Sequence, residues 1–194
     1  MSVKSMLVVL GLTLWSCGGS KHAKKNDLNA WKALARSEGV FLIKRSYDIE
    51  GHKCVYMKRM VTYRNHTMNA IFGFLNGTEY TRFPYIVSTH NGPGGPDSIL
   101  KLSSGQYNAQ ENNYDIVYVD NVTACIITKG FNGTAAGQCR MWAPEYFACD
   151  SRIKTCYKKY DELGCETVAV SYTTNPKCPP LSSVLPLSTT PLEA

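Results

Sequence analysis

The residues of this sequence best suited to chemistry are its eight cysteines and four histidines. No two cysteines are spaced as Cys-x-x-Cys, and the histidines at positions 22, 52, 66 and 90 are scattered, so we expect no metal site and no cofactor. The motifs Gly-x-Ser-x-Gly and His-Glu-x-x-His are absent, and we expect no catalytic residues and no enzymatic activity. Eight cysteines in 194 residues instead indicate disulfide bonding in an oxidising, secretory compartment.

The first residues predict export from the cell. Lys4 precedes an apolar run from Met6 to Leu14, and small residues follow, which is the pattern of a signal peptide over residues 1–19, cleaved between positions 16 and 20. A bacterial lipoprotein is the alternative, because residues 14–17 resemble a lipidation box, although Trp15 fits that box poorly. No later stretch reaches the roughly 18 to 20 apolar residues of a membrane helix, so we expect a secreted protein without a membrane partner.

Four asparagines are candidate glycosylation sites, because each is followed two residues later by threonine. They are Asn65, Asn76, Asn121 and Asn132, and they favour a eukaryotic secreted glycoprotein. The net charge is +6, from 21 Lys and Arg against 15 Asp and Glu, and the excess does not cluster. A nucleic-acid partner is therefore not expected.

Most of the chain reads as short β-strands separated by turn signals. Asp27 can cap a short helix before the first strand, with Leu28, Trp31 and Leu34 on one side. The links between strands are of hairpin length and contain no helices, which predicts an antiparallel sheet, either closed into a barrel or stacked as a sandwich. The eight predicted strands are Val40–Tyr47, Cys54–Tyr63, Met68–Leu75, Tyr80–Ser88, Ser98–Leu102, Asn113–Val119, Val122–Lys129 and Gln138–Trp142.

The segment after the last strand changes to helical spacing. Pro144 suits a first helical position and Gly164 an end, which predicts a helix of about 18 residues packed outside the sheet. The tail from Pro179 to Ala194 is rich in Pro, Ser and Thr, and we expect it to be disordered. The folded domain is therefore expected to span residues 27–178.

In the order and spacing of several short motifs, the sequence resembles the salivary lipocalins of ticks, whose best-known members are the histamine-binding proteins. The resemblance runs from about Asn29 to Cys178 and lacks the Gly-x-Trp signature of mainstream lipocalins, as this arthropod branch generally does. The motifs that carry it are Ala30-Trp31-Lys32, Ile43-Lys44-Arg45-Ser46-Tyr47, Cys54, Tyr118-Val119-Asp120 before Cys125, Gln138-Cys139-Arg140-Met141-Trp142 and the last cysteine, Cys178.

The resemblance implies an all-β fold, an eight-stranded antiparallel lipocalin barrel with a short N-terminal helix and a C-terminal helix outside. It also implies a monomer, secreted in saliva, that captures host inflammatory mediators and so serves immune evasion. Three disulfides are implied: Cys54 with Cys178, Cys125 with Cys156, and Cys139 with Cys165. Cys149 is left over, and it can pair with Cys17 only if the signal is cleaved after Ser16.

A biogenic amine such as histamine is the first ligand class that the resemblance implies, but the amine site is incomplete. Histamine is a cation, and its burial requires inward carboxylates or ring faces. Ile126 and Arg140 stand where amine-binding members have acidic residues, and Ser37 stands at a further such position. The remnants of an amine site are Tyr47, whose family counterpart faces the ligand, together with Asp115 and Glu50.

A lipid acid is the ligand class that the sequence favours instead. Arg140 and Trp142 lie two residues apart and share one face of their strand, and Arg45 shares the predicted inward face of the first strand with Phe41, Ile43 and Tyr47. A buried guanidinium needs an anion, which a fatty acid or a leukotriene supplies. Its chain would lie against strand aromatics such as Tyr114. The alternative is that both arginines reach solvent at the rim.

A surface that binds protein is the second function class. Lipocalins of tick saliva are also known as inhibitors of host proteins, and loops are where such a function would lie. The loop from Asn91 to Asp97, rich in Gly and Pro, is the candidate, with a complement component, a clotting factor or a protease as the host partner.

Overall fold

The computed structural model describes residues 28–104, 111–172 and 178–183. The predicted signal peptide, Asp27, Cys17 and most of the tail fall outside these residues. The helices are α1 (Ala30–Arg36) and α2 (Lys154–Glu162). The strands are β1 (Gly39–Arg45), β2 (Lys53–Tyr63), β3 (Thr67–Asn76), β4 (Glu79–Gly92), β5 (Gly95–Ser104), β6 (Glu111–Asp120), β7 (Cys125–Gly130), β8 (Cys139–Pro144) and β9 (Ala169–Val170).

The first eight strands form a closed antiparallel barrel. Each of β2 to β7 pairs with the next strand along the chain, β8 pairs with β1, and β1 pairs with β2. The eight predicted strands are thereby confirmed, and the barrel, rather than the sandwich, is the arrangement that they adopt. The short β9, which the sequence did not predict, pairs with β1 at Lys44 and Arg45.

A β-bulge in β1 decides which of its side chains face the interior. Leu42 pairs with Trp142 and Lys44 pairs with the preceding residue of β8, Met141, so Ile43 is an extra residue in β1. Because of this extra residue, Leu42 and Arg45 both face inward although they are three positions apart. The prediction that Phe41 and Ile43 face inward is wrong, because both are buried in the cluster outside the barrel.

Helix α1 closes one end of the barrel. Asn29, rather than Asp27, caps it, accepting a hydrogen bond at 2.8 Å from the Lys32 backbone N–H. Ala30, Ala33 and Leu34 are buried in the cluster inside the barrel, against inward residues of the strands. This apolar end forms the floor beneath the interior of the barrel.

The C-terminal helix is shorter than predicted. Pro144 is the last residue of β8 and pairs with Val40, so its extended backbone cannot begin a helix there. Two 3₁₀ turns follow, and α2 has only nine residues. It ends as predicted before Gly164, whose φ of 69° suits glycine. None of the helices in the described residues is long and apolar enough to cross a membrane.

Three disulfides hold the outer cluster together, with the pairing that the resemblance implies. Cys54–Cys178 joins β2 to the C-terminal segment, Cys125–Cys156 joins β7 to α2, and Cys139–Cys165 joins β8 to the chain after α2. In the described part of the chain only Cys149 is unpaired, and it is exposed. The expected disorder does not extend to the first tail residues, because Leu181 begins a 3₁₀ turn and is buried in the outer cluster.

Candidate ligand-binding cavity

A cavity of about 270 Å³ lies inside the barrel, away from the end that α1 closes. Its walls come from the inward faces of β1 to β6 and β8 and from the connection between β1 and β2. Half of the lining residues are aromatic, counting His52, and two arginines but no aspartate or glutamate are among them. They are Leu42, Arg45, Tyr47, Ile49, His52, Val55, Phe72, Gly73, Phe74, Phe83, Tyr85, Leu102, Asn112, Tyr114, Arg140 and Trp142.

Arg140 is the cation of this cavity that lacks a carboxylate partner. Its guanidinium carbon lies 4.4 Å from the centre of the Tyr114 ring and 5.2 Å from that of Tyr47, both within cation–π distance. The Nε atom is buried and has no hydrogen-bond partner among the described residues, and no carboxylate there forms a salt bridge with this side chain. Arg140 thus offers an unneutralised charge to whatever enters the cavity.

Arg45 lies directly opposite Arg140 on the neighbouring strand, but its charge is already engaged. One Nη nitrogen donates to the Asp48 carboxylate at 3.0 Å and to the backbone carbonyls of Ile49 at 3.1 Å and His52 at 3.3 Å. Only 4% of this side chain is exposed, so the alternative of a solvent-reaching rim arginine does not hold for Arg45. It fixes the connection between β1 and β2 at the mouth of the cavity.

Tyr114 and His52 line the cavity, and their pKa values are shifted toward the neutral forms. Burial raises the pKa of Tyr114 from 10.0 to about 12, although the nearby Arg140 charge acts in the opposite direction. Burial, and secondarily the charge of Arg45, lowers the pKa of His52. The ring of His52 stacks on Phe74 with 3.6 Å between centres. At neutral pH the net charge of the lining is therefore positive.

The deeper wall is made of rings that meet at steep angles. Phe72 lies 5.8 Å from Trp142 in an edge-to-face arrangement and 4.7 Å from Tyr85. Trp142 is 3% exposed, and its indole N–H has no partner among the described residues, as is true of the Asn112 side-chain oxygen. An unpaired buried polar group costs about 1–3 kcal/mol, which a ligand atom that reached it would recover.

Five of the six predicted ligand-binding residues meet at this cavity. They are Arg45, Tyr47, Tyr114, Arg140 and Trp142, whereas Asp115 is not a lining residue. Side chains alternate along β6, so the inward position of Tyr114 places Asp115 on the other face. The same alternation could have identified Asn112, which the sequence analysis missed. Ile49 and His52 gave no signal, because they lie in a connection without a periodic pattern.

The other positions at which the sequence was compared with amine-binding proteins place no charged side chain in the cavity. Glu50 is exposed in the turn after β1, and Ile126 is buried in the cluster inside the barrel. Ser37 is buried beside α1, where it lines a separate small cavity outside the barrel. The described residues also contain no group of three His, Cys, Asp or Glu side chains placed to bind a metal.

The segment proposed as a protein-binding loop is a tight hairpin. β4 extends to Gly92 and β5 begins at Gly95, so two residues connect them. Asp97, at the base of this turn, accepts hydrogen bonds from the Thr89 hydroxyl at 2.6 Å and is 2.7 Å from His66 Nδ1. The prediction of a loop there is wrong, because the strands pair almost to the turn.

Comparison with known proteins identifies the fold. No protein-family model and no curated protein matches this chain. A solved structure of AM182 with serotonin matches with a TM-score of 0.56 and 16% identity, over 78% of this chain and 92% of that one. Lobster apocrustacyanin A1 gives 0.47 and 11%, over 74% and 83%, and a bovine odorant-binding protein mutant gives 0.43 and 9%, over 67% and 87%.

These observations show that the chain has the lipocalin fold. The closed eight-stranded barrel, the helix at one end and the helix outside are its elements, and the match to the serotonin complex supports the assignment. The AM182 structure is a complex with serotonin, and a barrel of eight strands is wide enough to hold one small ligand.

Proposed function

We propose that this protein sequesters a small organic acid inside its barrel, with the carboxylate of the ligand at Arg140 and the apolar body against the rings. The single observation that carries the proposal is the unneutralised guanidinium of Arg140 in a cavity whose lining contains no carboxylate. Arg140 is partly buried and its Nε has no other partner among the described residues, so a ligand carboxylate could form a charge-assisted hydrogen bond with it, and such bonds are about twice as strong as neutral ones.

Fatty acids and leukotrienes belong to this ligand class, and both contain an apolar body suited to the aromatic wall. Each methylene group removed from water contributes about 0.8 kcal/mol before the entropic cost of binding. In this proposal the protein acts as a secreted scavenger of inflammatory mediators in a host. Three disulfides favour an oxidising compartment, and the exposed Asn65, Asn76 and Asn121 are accessible to glycosylation there.

An amine ligand is the less favoured candidate. Serotonin occupies the AM182 complex, so a barrel of this fold can hold a cationic amine. Here the ammonium group would enter a lining that carries two arginines and no carboxylate. The desolvation of that ammonium would be offset only by ring faces, two of which already lie against Arg140.

Competition binding tests the proposal. A fluorescent fatty acid and histamine are titrated into the unaltered protein, into Arg140→Glu and into Lys129→Glu, a matched charge reversal at an exposed position of β7. We expect the fatty acid to bind, histamine not to displace it, and Arg140→Glu to weaken binding at least tenfold while Lys129→Glu leaves it unchanged. Tight binding of histamine, or unchanged affinity for the fatty acid in Arg140→Glu, would overturn the proposal.

A further inference from the structure

The orientation of the cavity restricts what an acid bound at Arg140 can look like. Arg45 and Arg140 lie near the mouth, beside the β1–β2 connection, whereas Trp142 lies two residues further along β8 toward the end that α1 closes. A carboxylate at Arg140 therefore directs the rest of the ligand inward. Leu42, Leu102 and Trp142, which line the cavity and belong to the apolar cluster inside the barrel, then limit how far that body can extend.

The volume sets the size of that body. The cavity holds about 270 Å³, whereas one water in the liquid occupies about 30 Å³, and bonded atoms pack more densely than separate waters. A compact ligand of more than about nine non-hydrogen atoms therefore fits within it. A bicyclic aromatic acid can fill such a space with one rigid body, whereas a long alkyl chain can place only part of its length there.

The chemistry of the wall favours a flat ring over a short chain. Phe72, Tyr85 and Trp142 form a cluster of rings in edge-to-face and tilted contacts, which a further aromatic ring can join. A rigid ring also loses less conformational entropy on binding than an alkyl chain with the same number of atoms. The aliphatic lining residues are fewer and are divided between the wall and the mouth.

From charge, volume and ring geometry together we infer that the preferred ligands are compact aromatic monocarboxylates, enclosed whole with the carboxylate at Arg140 and the ring against Phe72 and Trp142. The inference rests on the proposed function and narrows its ligand class. It makes Phe72 a residue that determines the choice between aromatic and aliphatic acids, and Arg140 a residue that determines the choice between acids and amines.

Isothermal titration calorimetry of the secreted, disulfide-bonded protein tests this with three probes of nearly equal size. Indole-3-acetate is the aromatic acid, decanoate the aliphatic acid, and tryptamine an amine with the same ring. We expect the Kd of indole-3-acetate to be at least tenfold below that of decanoate, and no measurable binding of tryptamine. Arg140→Gln should raise the Kd of both acids at least tenfold, and Phe72→Leu should reduce or abolish the preference for the aromatic acid.

The outcomes distinguish a failure of the aromatic-acid inference from a failure of the proposed function. If decanoate binds as tightly as indole-3-acetate or more tightly, with both acids lost in Arg140→Gln, the inference fails and the proposed function stands. If neither acid depends on Arg140, or tryptamine binds in preference to both, the proposed function fails as well. Circular dichroism of each variant shows whether it folds, and Lys129→Gln on the outer surface supplies the matched loss of charge.

Discussion

Asp48 neutralises Arg45 at the mouth of the cavity, and removing its charge should tighten the binding of acids. The Asp48 carboxylate accepts a hydrogen bond from Arg45 at 3.0 Å, and its side chain is 64% exposed. In Asp48→Asn the guanidinium keeps its bonds to the carbonyls of Ile49 and His52 but loses its counter-charge. Because the Arg45 side chain is only 4% exposed, the loss of its charged partner should lower the free energy of unfolding, by less than the loss of about 3–5 kcal/mol for a fully buried pair, since Asp48 is exposed.

The gain in affinity comes from removing the repulsion between the Asp48 carboxylate and the carboxylate of the ligand. Arg45 lies directly opposite Arg140, where Cα atoms of paired strands are about 4.5–5.5 Å apart, so a carboxylate at Arg140 lies on the order of 10 Å from the Asp48 carboxylate that binds Arg45. Because Asp48 is exposed, an effective dielectric constant of about 40 to 80 applies, and one unit charge at that distance contributes about 0.4–0.8 kcal/mol. The Kd of an acid should therefore fall about twofold to fourfold.

Asp161→Asn is the matched control for Asp48→Asn. Asp161 pairs with Lys44 at 3.8 Å on the outer side of β1, and its side chain is 65% exposed, so the same charge is removed from a similar pair outside the cavity. Calorimetric titration with indole-3-acetate or decanoate should show tighter binding in Asp48→Asn alone, with the difference decreasing as salt is added. Equal or weaker binding in Asp48→Asn would refute the conclusion that Arg140 binds the acid while Asp48 neutralises Arg45 beside it.

Two further predictions concern stability. Replacing Cys54 and Cys178 by alanine opens a loop with a sequence separation of 124, whereas replacing Cys139 and Cys165 opens one of 26, so the chain-entropy model gives losses of about 5 and about 3.5 kcal/mol. Urea unfolding followed by circular dichroism measures both, and a larger loss for the shorter loop would contradict the model. The pKa of Tyr114 is raised by burial from 10.0 to about 12, so the stability that its buried phenol contributes is complete below pH 10 and is lost as the pH rises toward 12. Unfolding measured across this interval should depend less on pH in Tyr114→Phe, and an unchanged slope would show that other groups cause the loss.

The sequence predicted the strands better than the direction of their side chains. All eight barrel strands were identified, because short β-rich runs separated by Gly, Asn and Pro are a strong local signal. The inward face of β1 was wrong for Phe41 and Ile43, since a bulge depends on pairing with β8 and leaves no mark in the sequence of β1 alone. The helix predicted from Pro144 was too long for a related reason: that proline belongs to a strand whose partner is distant in sequence.

The candidate site was predicted in part. Arg140 and Trp142 share an inward face as their spacing of two residues indicated, and Arg45, Tyr47 and Tyr114 join them at the cavity. The distinction between the two arginines could not be predicted, because it depends on how the β1–β2 connection folds back over Arg45. Their roles as ligand contacts remain predictions for the binding experiments.

Because α1 closes one end of the barrel, the amount of ligand that such a protein can capture is limited by the number of its copies. A ligand that binds in a barrel with one open end enters and leaves through that end. A bound ligand therefore blocks the next one until it dissociates. The capacity of the protein then equals the number of copies released, and neutralising a signal requires an amount of protein comparable to the amount of the signal. If the proposed function is right, an organism relying on this protein would need a large amount of it, because fast binding by a few copies could not remove an excess of ligand.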